Sequence, residues 1–153
     1  MAHRERARGL STKAIGTAAE LQVAGTLIEL GLEVYAPLVD DKGVDLLVRR
    51  SDGTTEEIQV KSVRSGRWFQ VTRWEDPRSA MKENRWVIGV ENDGTSWLFP
   101  ARTFFDATVS SVSGGHGKRY VYDLNLDTTR RGQRRTNGEL LKVHRNAWDL
   151  LKR

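Results

Sequence analysis

The chain of 153 residues contains no cysteine. This absence excludes a disulfide scaffold, a cysteine-ligated zinc or iron–sulfur site and a cysteine nucleophile. No stretch approaches the roughly 20 apolar residues that a bilayer span needs, and the charged N-terminus lacks the apolar segment of a signal peptide. We therefore expect a cytoplasmic protein with no membrane partner. A Gly-rich phosphate loop and a nucleophile elbow are also missing, so we expect no small-molecule cofactor and no acyl transfer.

The amino-acid composition is that of a globular, basic protein. A hydrophobic fraction of 38% with 29% charged residues is typical of a single soluble domain. The net charge of +5 is unevenly distributed, because residues 1–13 hold four basic groups and one acid, residues 118–153 hold ten and four, and the residues between hold eleven and fifteen. A protein whose basic terminal segments bind phosphate, and whose acidic central region binds a divalent cation, would show this charge pattern. Basic ends that only maintain solubility produce it equally well.

The first predicted element is a helix from Ser11 to Leu30. Ser11 or Thr12 can cap its start, and Gly31 stands where a left-handed residue usually ends a helix. Apolar side chains recur at helical spacing along one face, which should pack on a sheet. The members of this face are Ile15, Ala19, Val23, Leu27 and Leu30. Glu20 borders it.

Several short segments with strand-like alternation follow the helix. They are Leu32–Ala36, Val44–Arg50, Thr55–Val63, Gly66–Thr72, Arg85–Glu91, Thr95–Phe99 and Arg119–Leu126. Ser51–Thr54 and Asn92–Gly94 carry turn chemistry and should close hairpins. Helices are predicted at Pro100–Val109 and Gly138–Leu151, with 110–117 as a flexible loop. This order is typical of a mixed α+β domain rather than a doubly wound parallel fold.

The hairpin after the helix carries the polar residues of most chemical interest. Asp45 interrupts an otherwise apolar strand, where an ionised carboxylate is rarely placed without a partner. On the second strand, Gln59 and Lys61 share a face because strand side chains alternate. A three-residue loop that pairs Arg50 with Thr54 sets Asp45 opposite Gln59, whereas a two-residue loop turns Asp45 to the other face. A shared site of Asp45, Gln59 and Lys61 therefore predicts the register that a three-residue loop gives.

These residues, with Glu20, suit a divalent metal site. Two carboxylates from Glu20 and Asp45, the Gln59 amide oxygen and the Val60 backbone carbonyl are the oxygen ligands that Mg²⁺ prefers, and Mn²⁺ can substitute. Lys61 beside the ion can orient or deprotonate an attacking water and offset charge on the phosphorus oxygens. Together these groups predict a phosphodiesterase. Taken alone, Asp45 is better explained as an ordinary acid near a turn, paired with Lys42 or Lys61. Its combination with Glu20, Gln59 and Lys61 favours the metal site instead.

The residues from about 11 to 63 resemble the PD-(D/E)XK nuclease superfamily. The resemblance rests on Gly16–Glu20, Gly31–Pro37, Gly43–Val48 and Ile58–Lys61, in this order on a helix, a strand and a hairpin. It implies a restriction-endonuclease-like αβββαβ core with a central mixed sheet, followed here by the C-terminal helix.

The resemblance also implies roles for individual residues. Asp45 is similar to the metal-binding acid of the motif, Lys61 to its lysine, and Glu20 to the helix acid found in many members, including archaeal Holliday-junction resolvases. Gln59 replaces the acid of the (D/E)XK half, as in a branch that resembles intron-encoded homing endonucleases, and Val44 replaces the motif proline. The loss of one negative charge weakens metal binding unless Glu20 compensates.

DNA contacts are expected on both sides of this site. Ser62 and Arg64 follow Lys61 on the strand and can touch phosphate, although a plain surface role explains them as well. The densest basic run can order on phosphates and give salt-sensitive affinity, with a solvated surface loop as the alternative. Its members are Arg130, Arg131, Arg134 and Arg135.

Three segments are expected: a basic arm at 1–10, the nuclease domain at 11–126, and a basic loop with a helix at 127–153. The last segment is either part of the same domain or a dimer interface. Trp148 and Leu151 favour the interface, because a small core leaves little room for them. The resemblance also implies a homodimer, as many nucleases of this class cut two strands as dimers.

The sequence thus predicts a Mg²⁺-dependent DNA endonuclease that leaves a 5′-phosphate, with a possible preference for branched, junction-like substrates. Two alternatives stay open. One is a nucleic-acid-binding module on the same fold that has lost cleavage, which the glutamine in the motif would explain. The other is a protein–protein interaction domain whose basic surfaces meet an acidic partner.

Overall fold

The structure, a computed structural model, describes residues 9–39, 43–73, 83–115, 117–126 and 141–152. Its elements, in chain order, are α1 (Thr12–Glu29), β1 (Glu33–Tyr35), β2 (Leu46–Arg49), β3 (Thr55–Ser62), β4 (Trp68–Arg73), β5 (Arg85–Val90), β6 (Ser96–Pro100), α2 (Ala101–Ala107), β7 (Val109–Gly115), β8 (Gly117–Asn125), a 3₁₀ turn (Lys142–His144) and α3 (Asp149–Lys152). This mixed α+β architecture is the predicted fold class. Within the described ranges, no helix combines the length and the apolar character needed to cross a membrane.

Helix α1 begins and ends close to its predicted limits. Ser11 Oγ accepts a hydrogen bond from the Ala14 N–H at 3.1 Å, which satisfies one of the free donors of the first turn. Gly31 has a φ of +82°, a left-handed conformation that glycine adopts without a Cβ penalty. The buried residues of the inner face are Ala19, Val23 and Leu27. These belong to the predicted apolar stripe, so helical periodicity located the packed face correctly.

The strands form two sheets. The larger has the order β1-β2-β3-β5-β6, with β3 and β5 parallel and the other neighbours antiparallel. The smaller has the order β4-β8-β7 and is antiparallel. The αβββαβ order places a helix between the third strand and its parallel neighbour. Here the described residues between β3 and β5 contain strand β4, and residues 74–82 lie outside the described ranges.

The larger sheet has an apolar core on each face. The core on the α1 side includes Val23, Leu27, Ile58, Val60, Ile88, Leu98 and Leu151. The core on the other side includes Phe69, Val71, Val87, Phe99, Phe104, Tyr122 and Leu124. Because strand side chains alternate between faces, β5 and β6 contribute to both cores and read as continuous apolar runs. The smaller sheet is anchored by the second core.

Residues 110–117 were predicted to form a flexible loop, but residues 110–115 and 117 are strand residues, and that prediction was wrong. Strand β7 pairs with β8 from Val109↔Asp123 to Gly115↔Gly117. Serine and glycine have low intrinsic strand preference, but backbone pairing with a strand already held by β4 outweighs that preference. His116 lies outside the described residues.

The C-terminal helix is present but much shorter than the predicted Gly138–Leu151. Residues 141–152 contain the turn Lys142–His144 and α3, with Asn146 between them at a φ of +48°. The Asn146 N–H donates to the Ser96 carbonyl at 2.6 Å, and its Oδ1 accepts from the Ser96 N–H at 2.9 Å. Hydrogen bonding to β6 therefore replaces the continuous helical ladder here. Residues 127–140 lie outside the described ranges.

This segment packs on the body of the protein. Leu151 is fully buried in the core on the α1 side, and Trp148 packs against that core half-buried. Leu141 is buried in the other core. The expectation that Trp148 and Leu151 lack room in a small core was wrong, because the space between α1 and the sheet accommodates both. A dimer interface therefore cannot be argued from these two side chains.

Candidate active-site cleft

The β2–β3 hairpin has the register that the chemistry predicted. The Arg50 N–H donates to the Thr54 carbonyl at 2.8 Å around a three-residue loop, in which Gly53 has a φ of +84°. The ladder runs from Arg49↔Thr55 to Leu46↔Ile58 and stops there. The pair expected next, Asp45 with Gln59, is not part of it. The Asp45 N–H instead donates to the Ile58 carbonyl at 2.9 Å.

The end of β2 exposes the backbone edge of β3 to the Asp45 carboxylate. Asp45 Oδ2 accepts a hydrogen bond from the Val60 N–H at 2.6 Å. In an antiparallel pair, the N–H and C=O groups of one residue hydrogen-bond to the same neighbouring strand. Both groups therefore point to the same side of their own strand. The Val60 carbonyl consequently lies on the edge where Asp45 sits. The carboxylate and this carbonyl form one oxygen-rich corner at the end of the hairpin.

An open cleft of about 890 Å³ adjoins this corner. Glu20, Asp45, Val60 and Lys61 all line it, so the structure brings together the helix acid, the strand acid, the carbonyl and the lysine. The other lining residues are Thr12, Ile15, Gly16, Ser62, Val63, Arg64, Ser65, Gln70, Thr72, Asn92 and Arg119. The cleft thus runs from the N-terminal half of α1, across the end of β3, to β4 and β8.

Gln59 is the one predicted catalytic residue outside the lining of the cleft. It is 5% exposed and lies beside Val87 in the β3–β5 register. It has interactions within the protein. A buried amide next to Val60 and Lys61 can hold the backbone of β3 in place.

The predicted DNA-contacting residues divide into two groups. Ser62 and Arg64 line the cleft, and the Arg64 guanidinium lies 4.8 Å from the centre of the Trp68 ring, a cation–π distance that restrains its direction. Ser62 Oγ is buried from solvent. The second group, Arg130, Arg131, Arg134 and Arg135, lies outside the described residues.

Several polar residues of the cleft lie outside the site predicted from the sequence. Gln70 and Thr72 on β4, Asn92 in the β5–β6 turn and Arg119 on β8 all line it. A local signal existed on β4, where Gln70 and Thr72 alternate with the buried Phe69 and Val71. The pairing that brings β8 alongside β4 has no such local signal.

The cleft combines charges of both signs. Its acids are Glu20 and Asp45, and its cations are Lys61, Arg64 and Arg119. Within the described part of the chain, no group of three or more His, Asp or Glu side chains surrounds one point. A metal here would depend on two carboxylates, a backbone carbonyl, waters and the substrate itself, which is the kind of sphere that Mg²⁺ accepts and Zn²⁺ does not favour.

No protein-family model and no curated protein matches this sequence. Among solved structures, the chain is similar to a bacterial homing endonuclease, I-Ssp6803I, with a TM-score of 0.57 and 23% sequence identity over 92% of this chain and 91% of that one. The chain therefore has a nuclease-like mixed α+β fold. The similarity spans both sheets rather than the motif region alone.

Proposed function

We propose that this protein is a Mg²⁺-dependent endonuclease that hydrolyses DNA phosphodiester bonds. The observation that supports this proposal most strongly is the shared cleft of Glu20, Asp45, Val60 and Lys61, with the Asp45 carboxylate held on the Val60 N–H at 2.6 Å. The fold shared with a homing endonuclease points to the same chemistry. The net charge of +5 favours a polyanionic substrate.

The donor set fits Mg²⁺. The Val60 hydrogen bond fixes the Asp45 carboxylate beside the Val60 carbonyl, and Glu20 contributes a second carboxylate from α1. Mg²⁺ is usually held by one or two carboxylates and substrate phosphate while it keeps several waters, so a third acid is not required. When bound, the ion supplies Lewis-acid polarisation of a phosphoryl oxygen and lowers the pKa of a bound water.

Lys61 stabilises the reacting phosphate. Lys61 lines the same cleft as Glu20 and Asp45 and directly follows Val60 on β3. A cation placed there offsets the charge that develops on the phosphorus oxygens and orients the attacking water. Arg64 adds a second cation to the cleft, and its stacking on Trp68 pre-orients it for phosphate.

Gln59 acts as a positioning residue in this proposal. Its buried amide directly precedes Val60 and Lys61 on β3, and it contributes no charge to the metal site. The missing acid is also the feature that favours the alternative of a DNA-binding module without cleavage. The two carboxylates that remain are then the decisive groups.

The active species is proposed to be a homodimer. The two strands of a duplex run in opposite directions, so a two-fold axis presents an identical cleft to each strand. Size-exclusion chromatography with light scattering, with and without DNA, tests this assembly independently of activity.

The function is tested by incubating the purified full chain with labelled duplex, four-way-junction and single-stranded DNA in Mg²⁺, Mn²⁺ or EDTA. We expect metal-dependent cleavage with 5′-phosphate ends, reduced at least about 100-fold by Asp45→Ala and by Lys61→Ala, as for loss of an electrostatic transition-state contact. Asp106→Ala and Lys152→Ala, exposed acid and lysine outside the cleft, serve as charge-matched controls.

The outcomes separate the three hypotheses. Full cleavage by folded Asp45→Ala and Lys61→Ala proteins contradicts the proposed site. Tight, salt-dependent DNA binding without cleavage in either metal favours the inactive binding module. Neither binding nor cleavage favours a domain that recognises another protein.

A further inference from the structure

The smaller sheet has two unlike faces. On β4, Phe69 and Val71 are buried in the core, whereas Gln70 and Thr72 between them are partly exposed and line the cleft. Since strand side chains alternate, the sheet has one packed face and one partly exposed face. The second is called the polar face below, although it also carries the apolar Val121 opposite Thr72. The polar face is directed to the space that also contains Lys61.

The β4–β8 register places a third residue on this polar face. Thr72 pairs with Val121, and Arg119 lies two residues before Val121 on β8, so Arg119 shares the face of Thr72 and Gln70. Arg119 is exposed and lines the same cleft. Gln70, Thr72 and Arg119 are called the polar triad below.

We propose that the polar triad reads base edges in the major groove of duplex DNA and gives the enzyme sequence specificity. This inference rests on the proposed nuclease function and names the substrate class of the same cleft as duplex DNA. It also assigns a task to β4 and β8, which carry none of the predicted catalytic residues.

The dimensions of a two-stranded ribbon suit this task. The major groove of B-DNA is about 12 Å wide and admits such a ribbon. Residues two apart on a strand are separated by about 6.6 Å, close to two base-pair steps of about 3.4 Å each. Gln70 and Thr72 can therefore address bases two steps apart, with Arg119 on the neighbouring strand.

The chemistry of the polar triad suits bases better than phosphates. A glutamine amide pairs with adenine N6 and N7, an arginine guanidinium with guanine O6 and N7, and a threonine with several edges. Phosphate contact calls for cations, of which the polar triad contains one, Arg119, while Lys61 and Arg64 lie elsewhere in the cleft. Asp123 lies opposite Gln70 in the register and shares the polar face with Arg119. The Oδ1 atom of Asp123 is buried. Among the described side chains of this face, Arg119 and Asp123 therefore carry opposite charges.

The test is to digest a complex duplex library with the full chain in Mg²⁺ and sequence the fragment ends. We expect the wild type to cut at a consensus and Gln70→Ala to lose discrimination at one or two positions by about 5- to 100-fold, with the other positions unchanged. Gln70→Glu should move the preference at the affected position from adenine toward cytosine. Gln22→Ala, an exposed amide on α1 outside the cleft, should leave the consensus intact.

Arg64→Ala distinguishes base reading from phosphate contact. As a phosphate-contacting residue, Arg64 should affect all sequences equally, so its loss slows cutting and leaves the consensus unchanged.

A wild-type enzyme that cuts without any consensus, or a consensus that survives in folded Gln70→Ala and Arg119→Ala proteins, overturns the reading role and leaves the nuclease standing. Absence of cleavage on every DNA overturns the proposed function and this inference together.

Discussion

Glu20 and Asp45 approach the cleft by different routes, and this difference makes Glu20 separately testable. Asp45 is tied to the β3 backbone, whereas Glu20 depends on the placement of α1. We expect Glu20→Gln, which removes the charge and keeps the shape, to raise the Mg²⁺ concentration for half-maximal cleavage at least about tenfold. The measurement is a Mg²⁺ titration of the cleavage rate.

Glu29 provides the matched control for this prediction. It lies exposed at the last position of α1, outside the cleft, so Glu29→Gln removes the same charge from the same helix. Its Mg²⁺ dependence should equal that of the wild type. An unchanged titration for Glu20→Gln would show that Asp45 and Val60 suffice and that Glu20 is a structural acid.

At the residue scale, the candidate site was predictable where local geometry governs it. Strand alternation and the turn residues around Gly53 gave the face of Lys61 and the register of the hairpin. The partner of Asp45 was not predictable, because the ladder ends at Leu46 and the carboxylate bonds to Val60 instead of facing Gln59. Strand ends are decided by competition among backbone donors, which periodicity does not encode.

At the scale of elements, the contact of β4 with β5 depends on one glycine. Gly89 pairs with Lys61, and a Cβ added to it would lie 2.7 Å from Cε1 of the buried Phe69 ring. Phe69 is held by the Phe104 ring at a centroid distance of 5.4 Å, so it has little room to yield. We expect Gly89→Ala to destabilise the protein by about 1–3 kcal/mol, the usual cost of overpacking. Urea denaturation measures this change.

Gly25 is the control for the Gly89 substitution. It lies inside α1, and an added methyl group would meet no heavy atom within 4 Å beyond the backbone of its own helix. Gly25→Ala should therefore stabilise the protein by about 0.5–1 kcal/mol through helix propensity. Equal midpoints for Gly89→Ala and the wild type would mean that β4 shifts freely. In that case the position of the polar triad beside Lys61 would not depend on this contact.

The elements themselves were predictable in proportion to how local their causes are. Helix α1 and the two hairpins closed at Gly53 and Gly94 follow from capping and turn residues near in sequence. β7 and the break at Asn146 depend on strands β8 and β6, which come from other parts of the chain. The local composition favoured a loop at β7 and a continuous helix through Asn146.

At the scale of the whole molecule, the C-terminal segment is attached to the sheet through a titratable side chain. His144 Nδ1 lies 2.9 Å from the Leu98 carbonyl, which fixes it as the N–H donor, and the ring packs on Phe99 at a centroid distance of 4.6 Å. Burial lowers the pKa of His144 below its usual 6.5, while the hydrogen bond to the Leu98 carbonyl opposes the shift. Protonation of His144 is therefore less favourable in the folded protein than in the unfolded chain.

The sign of the pH dependence follows from that lowered pKa. Below about pH 6.5 the unfolded chain takes up a proton at His144 that the folded chain resists, so stability is complete above this pH and declines below it. The loss should be a fraction of about 1.4 kcal/mol per pH unit, because the ring is only half-buried and water screens its charge. Urea denaturation at pH 7.5 and 5.5 should show a larger decline for the wild type than for His144→Gln, which can keep a donor near Leu98 but does not titrate. Parallel declines for the two proteins would place the acid sensitivity in other groups and leave the C-terminal attachment independent of pH.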